Sequence, residues 1–351
     1  MKVLFVYTGE PLPAWQGDLE ATLQSLPTTH TSEVNSPILL HLLQERGHEL
    51  VFLGKDDPPP KRCDFDVLFL YKIHGLKLAV RKQLFGWAWL PGCQWKKVVA
   101  WLDAPRPQLI LGDSVKYLER VAWGTPELLQ ESSLLPRGGQ GVIEHATQFL
   151  RPPVLSPAQP RGLFAGRLPA AYLCDLLVAA EVVPMRTYAL WIEWNGRKCR
   201  LRPSQLRGET LGSLRQSLPA SIELLPGSNL QNEALQASAC SFGLCPSASP
   251  GQPQSLSASK FYDYLALGLP VVLAENVPEA RFVRDQPWLG ELYNPTRPES
   301  LRKAIGQVME WAREHDFLQR RRRIQEWVFA HHTYWERAEQ MDRFLLARPA
   351  T

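Results

Sequence analysis

The chain has 351 residues and a formal net charge of +4 at pH 7. This length exceeds what one hydrophobic core usually spans, so two domains are expected. Lysines and arginines are spread along the sequence, which argues against the clustered basic footprint of a nucleic-acid-binding protein and favours mild attraction to phosphate-bearing ligands. Six dispersed cysteines without a C-x-x-C pair fit a reducing cytoplasm and argue against a zinc site.

The first half shows strands alternating with helices. MKVLFVYTG predicts a first strand, because its apolar run is too short for a signal peptide. GHELVFLG, CDFDVLFLYK and KKVVAWLDAP predict three more, since each has the short apolar run of a buried parallel strand. The helix PILLHLLQERG is predicted to start at Ser36 and Pro37 and to end at Gly47. This alternation predicts an α/β fold with a doubly wound parallel sheet.

Polar residues after the predicted strands are the candidates for chemistry, because ligands bind beyond the carboxyl ends of strands in such sheets. Asp103 ends the fourth strand and is the leading candidate for a general base. A turn or helix cap before Pro105 is an equally good interpretation of that aspartate. His74, after the third strand, could orient or replace Asp103. Asp18 lies on the long loop after the first strand, where a solvated surface loop is the alternative.

Residues 77–97 interleave lysine and arginine with tryptophan, phenylalanine and leucine. Basic residues beside exposed aromatic rings suit a membrane interface, so peripheral membrane contact is one interpretation of this segment. A helix with buried tryptophans and solvated lysines is the more ordinary one. Stacking of the tryptophans on a sugar is a third.

A proline-rich segment divides the chain. Residues 151–162 contain four prolines and no amphipathic period, which predicts a linker. The predicted organisation is therefore a first domain at 1–150, a second at 163–330, and a helical end at 331–351. From Pro298 onward the sequence has a helical period, and the run from Arg320 to Arg323 is expected on a solvated helix face.

The stretch SLSASKFYDYLALGLPVVLA predicts a loop, a helix, a turn and a buried strand. Serines that include Ser257 and Ser259 offer N-cap hydroxyls to a helix running from about Lys260 to Leu267, and Gly268 ends it. A helix start exposes unpaired N–H groups and the positive end of the dipole. This loop is therefore a candidate phosphate site, to which Lys260 adds a full charge.

KFYDYLALGLPVV resembles the helix-and-strand signature of GT-B glycosyltransferases, which use nucleotide sugars and have two Rossmann-like domains with a cleft between them. The resemblance implies an acceptor-binding first domain, a donor-binding second domain and a closing helix that packs back on the first. It implies that Asp263, where the family usually has glutamate, holds the donor ribose. Arg167 in GLFAGRL matches an arginine that contacts the pyrophosphate, and Gly227 lies near the nucleotide base.

The same resemblance implies a donor such as a UDP-sugar, a small-molecule, glycan or lipid-linked acceptor, and no bound metal or other cofactor. It places Glu144 and His145 near the cleft, without an assigned chemistry. Ser255 stands where retaining members of family 4 have a first glutamate, which slightly favours an inverting mechanism with Asp103 or a neighbour as base. Two alternatives stay open: a nucleotide-sugar epimerase of this fold, and a catalytically silent scaffold. The expected location is cytoplasmic, with peripheral membrane contact left open.

Overall fold

The structure is a computed structural model. It describes residues 1–7, 39, 41–53, 64–71, 97–102, 118–132, 136, 139–147, 151–157, 159–194, 197–200, 212, 216–226, 234–246 and 259–346. Among these residues, no helix has both the length and the apolar character that crossing a membrane requires.

The first sheet has six parallel strands in the order β2-β1-β3-β4-β5-β6. They are β1 (Lys2–Tyr7), β2 (Glu49–Leu53), β3 (Val67–Tyr71), β4 (Lys97–Leu102), β5 (Leu118–Trp123) and β6 (Gln140–Val142). Helix α1 (Pro126–Glu131) lies between β5 and β6 and is capped by Thr125, whose hydroxyl accepts from the Leu128 amide at 3.2 Å. Alternate residues of β1 enter two separate apolar clusters, so both faces of this sheet are covered.

The second sheet has six parallel strands in the order β10-β8-β7-β11-β12-β13, with β9 antiparallel to β8 at its side. The strands are β7 (Gly162–Leu168), β8 (Met185–Trp194), β9 (Arg197–Arg200), β10 (Ile222–Pro226), β11 (Phe242–Cys245), β12 (Val271–Ala274) and β13 (Gly290–Tyr293). Its helices are α2 (Ala170–Val182), α3 (Ala234–Ser238), α4 (Lys260–Ala266), α5 (Ala280–Asp285), α6 (Pro298–Trp311) and α7 (Phe317–His331). The prediction of two doubly wound α/β sheets is confirmed.

The strand orders fix where ligands are expected. In each sheet the chain first builds one side and then turns to the other, so the order reverses between β1 and β3 and between β7 and β11. Ligands of open α/β sheets bind at the carboxyl ends of the strands beside this reversal. In the second sheet Arg167 lies at this end of β7, and Lys260 begins α4, the next described helix after β11.

The end of the chain completes the core of the first sheet. Helix α8 (Tyr334–Met341) and the π-helical turn Asp342–Leu346 place five apolar residues in the cluster that covers one face of that sheet. These residues are Tyr334, Ala338, Met341, Leu345 and Leu346. A parallel bridge between Thr147 and Thr333 joins the same tail to the segment that follows β6.

One residue of the arginine run on α7 differs from its expected surface position. Arg321 is 0% exposed, because its guanidinium turns inward. It donates from Nε to the carbonyl of Gly268 at 2.9 Å and from Nη2 to the carbonyls of Leu267 and Ser238 at 3.2 and 2.5 Å. A further bond from Nη1 to the Leu155 carbonyl ties α7 to the linker segment. The expectation of a solvated face was therefore wrong for Arg321.

Gly243 on β11 leaves the space that Tyr264 of α4 fills. A Cβ atom added at Gly243 would lie 2.2 Å from Cδ2 of the Tyr264 ring. That ring is fully buried, and its hydroxyl accepts from the Ala165 amide at 2.8 Å, so it has no room to shift. We expect Gly243→Ala to lower the free energy of unfolding by about 1–3 kcal/mol, measured by urea denaturation. Gly306→Ala, in open space on α6, is the matched control, and an equal loss there would contradict this explanation.

Candidate functional site

Two positively charged side chains meet at the carboxyl end of the second sheet. Arg167 is the next-to-last residue of β7, and its side chain is exposed. Lys260 is the first residue of α4, and Arg167 is close enough to act on its charge. Within the described part of the chain, neither side chain forms an ion pair or a hydrogen bond. The site therefore carries two positive charges that no described carboxylate neutralises.

Aromatic rings and a glycine surround the Lys260 ammonium. Its Nζ atom lies 4.7 Å from the ring centroid of Phe164 and 4.9 Å from that of Tyr172. Gly166 forms a third side, where an added Cβ atom would come within 3.6 Å of Nζ. That separation is an ordinary van der Waals contact, so glycine is favoured at this position by its φ of 125°, which side chains rarely adopt.

The protonation of Lys260 is shifted by these surroundings. Burial lowers its pKa from 10.5 to about 8, and the charge of Arg167 acts in the same direction. A bound anion would raise the pKa of Lys260 again, because its negative charge stabilises the protonated amine. A diphosphate, with several negative oxygens, is the kind of ligand that can satisfy both cations together.

This shift gives the site a pH dependence that can be measured. The charged form of Lys260 attracts anions, so the affinity for a nucleoside diphosphate should be full well below pH 8 and fall as the pH rises through 8 and the amine loses its proton. The diphosphate group itself keeps a constant charge in this range, since its last pKa is about 6. We expect the affinity measured by calorimetric titration to fall about tenfold as the pH rises through 8. Lys260→Arg should remove the decline, because arginine stays charged; the same decline in that variant would contradict the assignment.

The start of α4 is built differently from the prediction. Ser259 precedes the helix with αR backbone angles, and its side chain makes no capping hydrogen bond. The expected N-cap by this residue was therefore wrong, because an N-cap serine normally has extended backbone angles. Helix α4 has only seven residues, so the dipole at its N-terminus is weak. Arg167 and Lys260 therefore supply most of the positive charge of the candidate site.

Asp263 is buried in the contact between the two halves. It is 2% exposed, and the Thr147 hydroxyl donates to its Oδ1 atom at 3.4 Å. Thr147 belongs to the segment after β6, so this carboxylate of α4 faces the first domain. The role of Asp263 in holding a ribose stays a prediction.

Ion pairs join the halves near the same place. Arg281 of α5 contacts the carboxylate of Glu144 and lies 3.8 Å from that of Glu127 on α1. Arg337 of α8 donates to the backbone carbonyl of Glu144 at 2.8 Å and to Nδ1 of His332 at the same distance. Burial lowers the pKa of His332 to about 3, so its ring is neutral and can accept. These contacts hold the segment after β6 against the second half.

Sequence reasoning missed several of these residues. Phe164 and Tyr172 lie in ordinary strand and helix patterns, and Arg281 and Arg337 lie on helices where an exposed arginine is usual. The nearest sequence signal for this site was the presence of both motifs, the Gly-Arg of GLFAGRL and the lysine of SASKFYD, in the second half of the chain. Other predicted site residues lie outside the described residues: Asp18, His74, Asp103, Gly227, Ser257 and most of the segment 77–97.

The chain was compared with known proteins and solved structures. No protein-family model matches the sequence. No curated protein matches it either. Sucrose-phosphate synthase from Thermosynechococcus elongatus aligns over 97% of both chains, with a TM-score of 0.64 and 14% identity. WaaG, a glycosyltransferase involved in lipopolysaccharide biosynthesis, covers 98% of this chain and 99% of its own, with a TM-score of 0.59 and 11% identity.

A third structure agrees with these two. The lipopolysaccharide outer core galactosyltransferase WaaB covers 97% of this chain and 98% of its own, with a TM-score of 0.56 and 12% identity. These alignments cover 97 to 98% of this chain. Identity this low carries information on the fold alone. With two parallel, doubly wound sheets that align along almost their full length with these enzymes, the chain has the GT-B fold.

Proposed function

We propose that the protein is a glycosyltransferase, of the hexosyltransferase class, that moves a sugar from a nucleoside-diphosphate sugar to an acceptor hydroxyl. The observation that carries the proposal is the pair Arg167 and Lys260 at the strand-order reversal of the second sheet, with no described anionic partner. Solved structures with this fold are named as glycosyltransferases, which supports the same class of reaction.

In the proposed reaction the donor binds to the second domain and the acceptor to the first. Arg167 and Lys260 would stabilise the negative charge that develops on the departing diphosphate, so that no metal ion is needed for this step. Ser257 and Ser259 would contact the same phosphates, Asp263 the ribose, and Gly227 the base, for which we propose uracil.

In the first domain, an inverting transfer requires a base for the acceptor hydroxyl. We assign this role to Asp103, with His74 and Asp18 as the neighbouring candidates, and expect a small-molecule, glycan or lipid-linked acceptor. The proton passes from the acceptor oxygen to the carboxylate as the oxygen attacks the anomeric carbon and the diphosphate leaves. Proton NMR of the first product tests this: retention of the donor's anomeric configuration would refute the inverting mechanism and the role of Asp103 as its base.

The function is tested first by donor binding. A ligand that binds only the folded protein raises its melting temperature according to RT ln(1 + [L]/Kd). UDP-, GDP-, dTDP- and ADP-sugars are screened in parallel, and we expect the UDP-sugars to give the largest shift. Silence from every nucleotide sugar, with the protein folded, would refute the transferase.

A catalytically silent scaffold of the same fold is the second candidate. It is favoured by Asp263, which is buried against Thr147, and by the serine at position 255. The two candidates differ in turnover. A scaffold would bind a nucleotide sugar without releasing free nucleoside diphosphate, either alone or with any acceptor, whereas a transferase releases one diphosphate for each sugar moved.

A further inference from the structure

The surroundings of Lys260 are unusual for a partly buried lysine. Such an ammonium is normally paired with a carboxylate, because the desolvated charge needs compensation. Here the ammonium lies near the faces of Phe164 and Tyr172 instead. An aromatic face attracts a cation through its quadrupole without neutralising it. The charge is therefore held in place and remains available to a ligand.

The two rings come from different elements, which fixes the ammonium from two directions. Phe164 lies on β7 and is 0% exposed, so its position is set by the core. Tyr172 lies in the first turn of α2, packs on the same core and remains partly exposed. Burial raises the pKa of Tyr172, so its phenol stays neutral and adds no competing negative charge.

We propose that Phe164 and Tyr172 form an aromatic cage that positions the Lys260 ammonium beside Arg167 for an anionic ligand. Tyr172 is then a positioning residue of the anion site, acting through Lys260. The inference rests on the proposed function only for the identity of that ligand, a donor diphosphate. Without the cage, the flexible lysine stem would let the ammonium turn toward open solvent, and the two cations would no longer act together.

The first experiment needs no ligand. In protein labelled with ¹³C-lysine, the side-chain CH₂ signals of Lys260 should be shifted upfield by the two ring currents, and Lys260→Met identifies them by their loss. Tyr172→Phe keeps the ring and should preserve the shift. Tyr172→Leu should move the signals toward ordinary lysine positions, and Tyr172→Met replaces it if the leucine variant does not fold. Ordinary signals in the wild type, or unchanged signals in Tyr172→Leu, would overturn the cage.

The second experiment measures inorganic pyrophosphate binding by calorimetry at pH 7.5. We expect Lys260→Met to lower the affinity about tenfold or more, Tyr172→Leu about fivefold, and Tyr172→Phe less than twofold. In the Lys260→Met background, Tyr172→Leu should cause no further loss, because its effect passes through the lysine. An equal loss in both backgrounds would refute the proposal. If pyrophosphate binding and the NMR signals change as expected but no nucleotide sugar binds, the transferase proposal is refuted and the aromatic cage is still supported.

Discussion

Replacing Arg167 and Lys260 together by alanine is expected to lower the affinity for the responding nucleoside diphosphate by about 10²- to 10⁴-fold. Each cation offers a charge-assisted hydrogen bond to phosphate, which contributes about 1.5–3 kcal/mol, and 1.4 kcal/mol corresponds to a factor of ten. Within the described residues, neither side chain has an ion-pair or hydrogen-bond partner that would be left unpaired. Calorimetric titration of wild type and variant with the same nucleotide measures the loss.

The control for this experiment must remove the same net charge elsewhere. Arg302 and Lys303 lie on the exposed face of α6, where Arg302 pairs with Glu181. Arg302→Ala with Lys303→Ala should change the affinity by less than twofold, since exposed charges at a distance are screened by salt. If this control loses as much affinity as the variant at Arg167 and Lys260, general electrostatic attraction explains binding and the assigned site is wrong.

The largest effect on stability is expected at Arg321. Arg321→Met removes a guanidinium that donates to four backbone carbonyls, three of them in buried hydrogen bonds, and so takes this donor from each of them. We expect the free energy of unfolding to fall by about 3–5 kcal/mol. Urea denaturation followed by tryptophan fluorescence measures the change as a lower midpoint. The control is Arg322→Met, at the exposed neighbouring position, whose free energy of unfolding should stay within about 0.5 kcal/mol of wild type. Equal losses in the two variants would show that the hydrogen bonds of Arg321 contribute little to stability.

The strands and the positions of the candidate phosphate-binding residues were predictable because their signals are local. The apolar runs before Gly54 and Asp103, and the helix and turn around Gly268, specify elements that form within a few residues. The α/β fold followed from their alternation. Lys260 followed from its position at the start of a helix, and Arg167 from the resemblance of GLFAGRL to a phrase of GT-B glycosyltransferases.

The remaining features depend on contacts between distant residues. Arg321 sits in a run of four arginines that differ little in sequence, and its burial is decided by carbonyls 53 to 166 positions away. Asp263 meets Thr147 across 116 positions, and no periodic pattern reports such a contact. The Tyr172 ring is placed over Lys260 by the packing of α2 on the sheet. Tertiary packing, rather than local preference, therefore sets the surroundings of the site.

The return of the tail to the first sheet affects how this chain must fold during synthesis. Domains generally fold in the order in which the ribosome delivers them. Here one face of the first sheet lacks Tyr334, Met341 and Leu345 until more than three hundred residues have emerged. The first domain therefore cannot complete its core until the second domain has been synthesised, and part of its apolar face stays uncovered until then. A chain truncated after α7 would have the strands of both sheets but would expose this apolar face, to which a chaperone or a protease could bind.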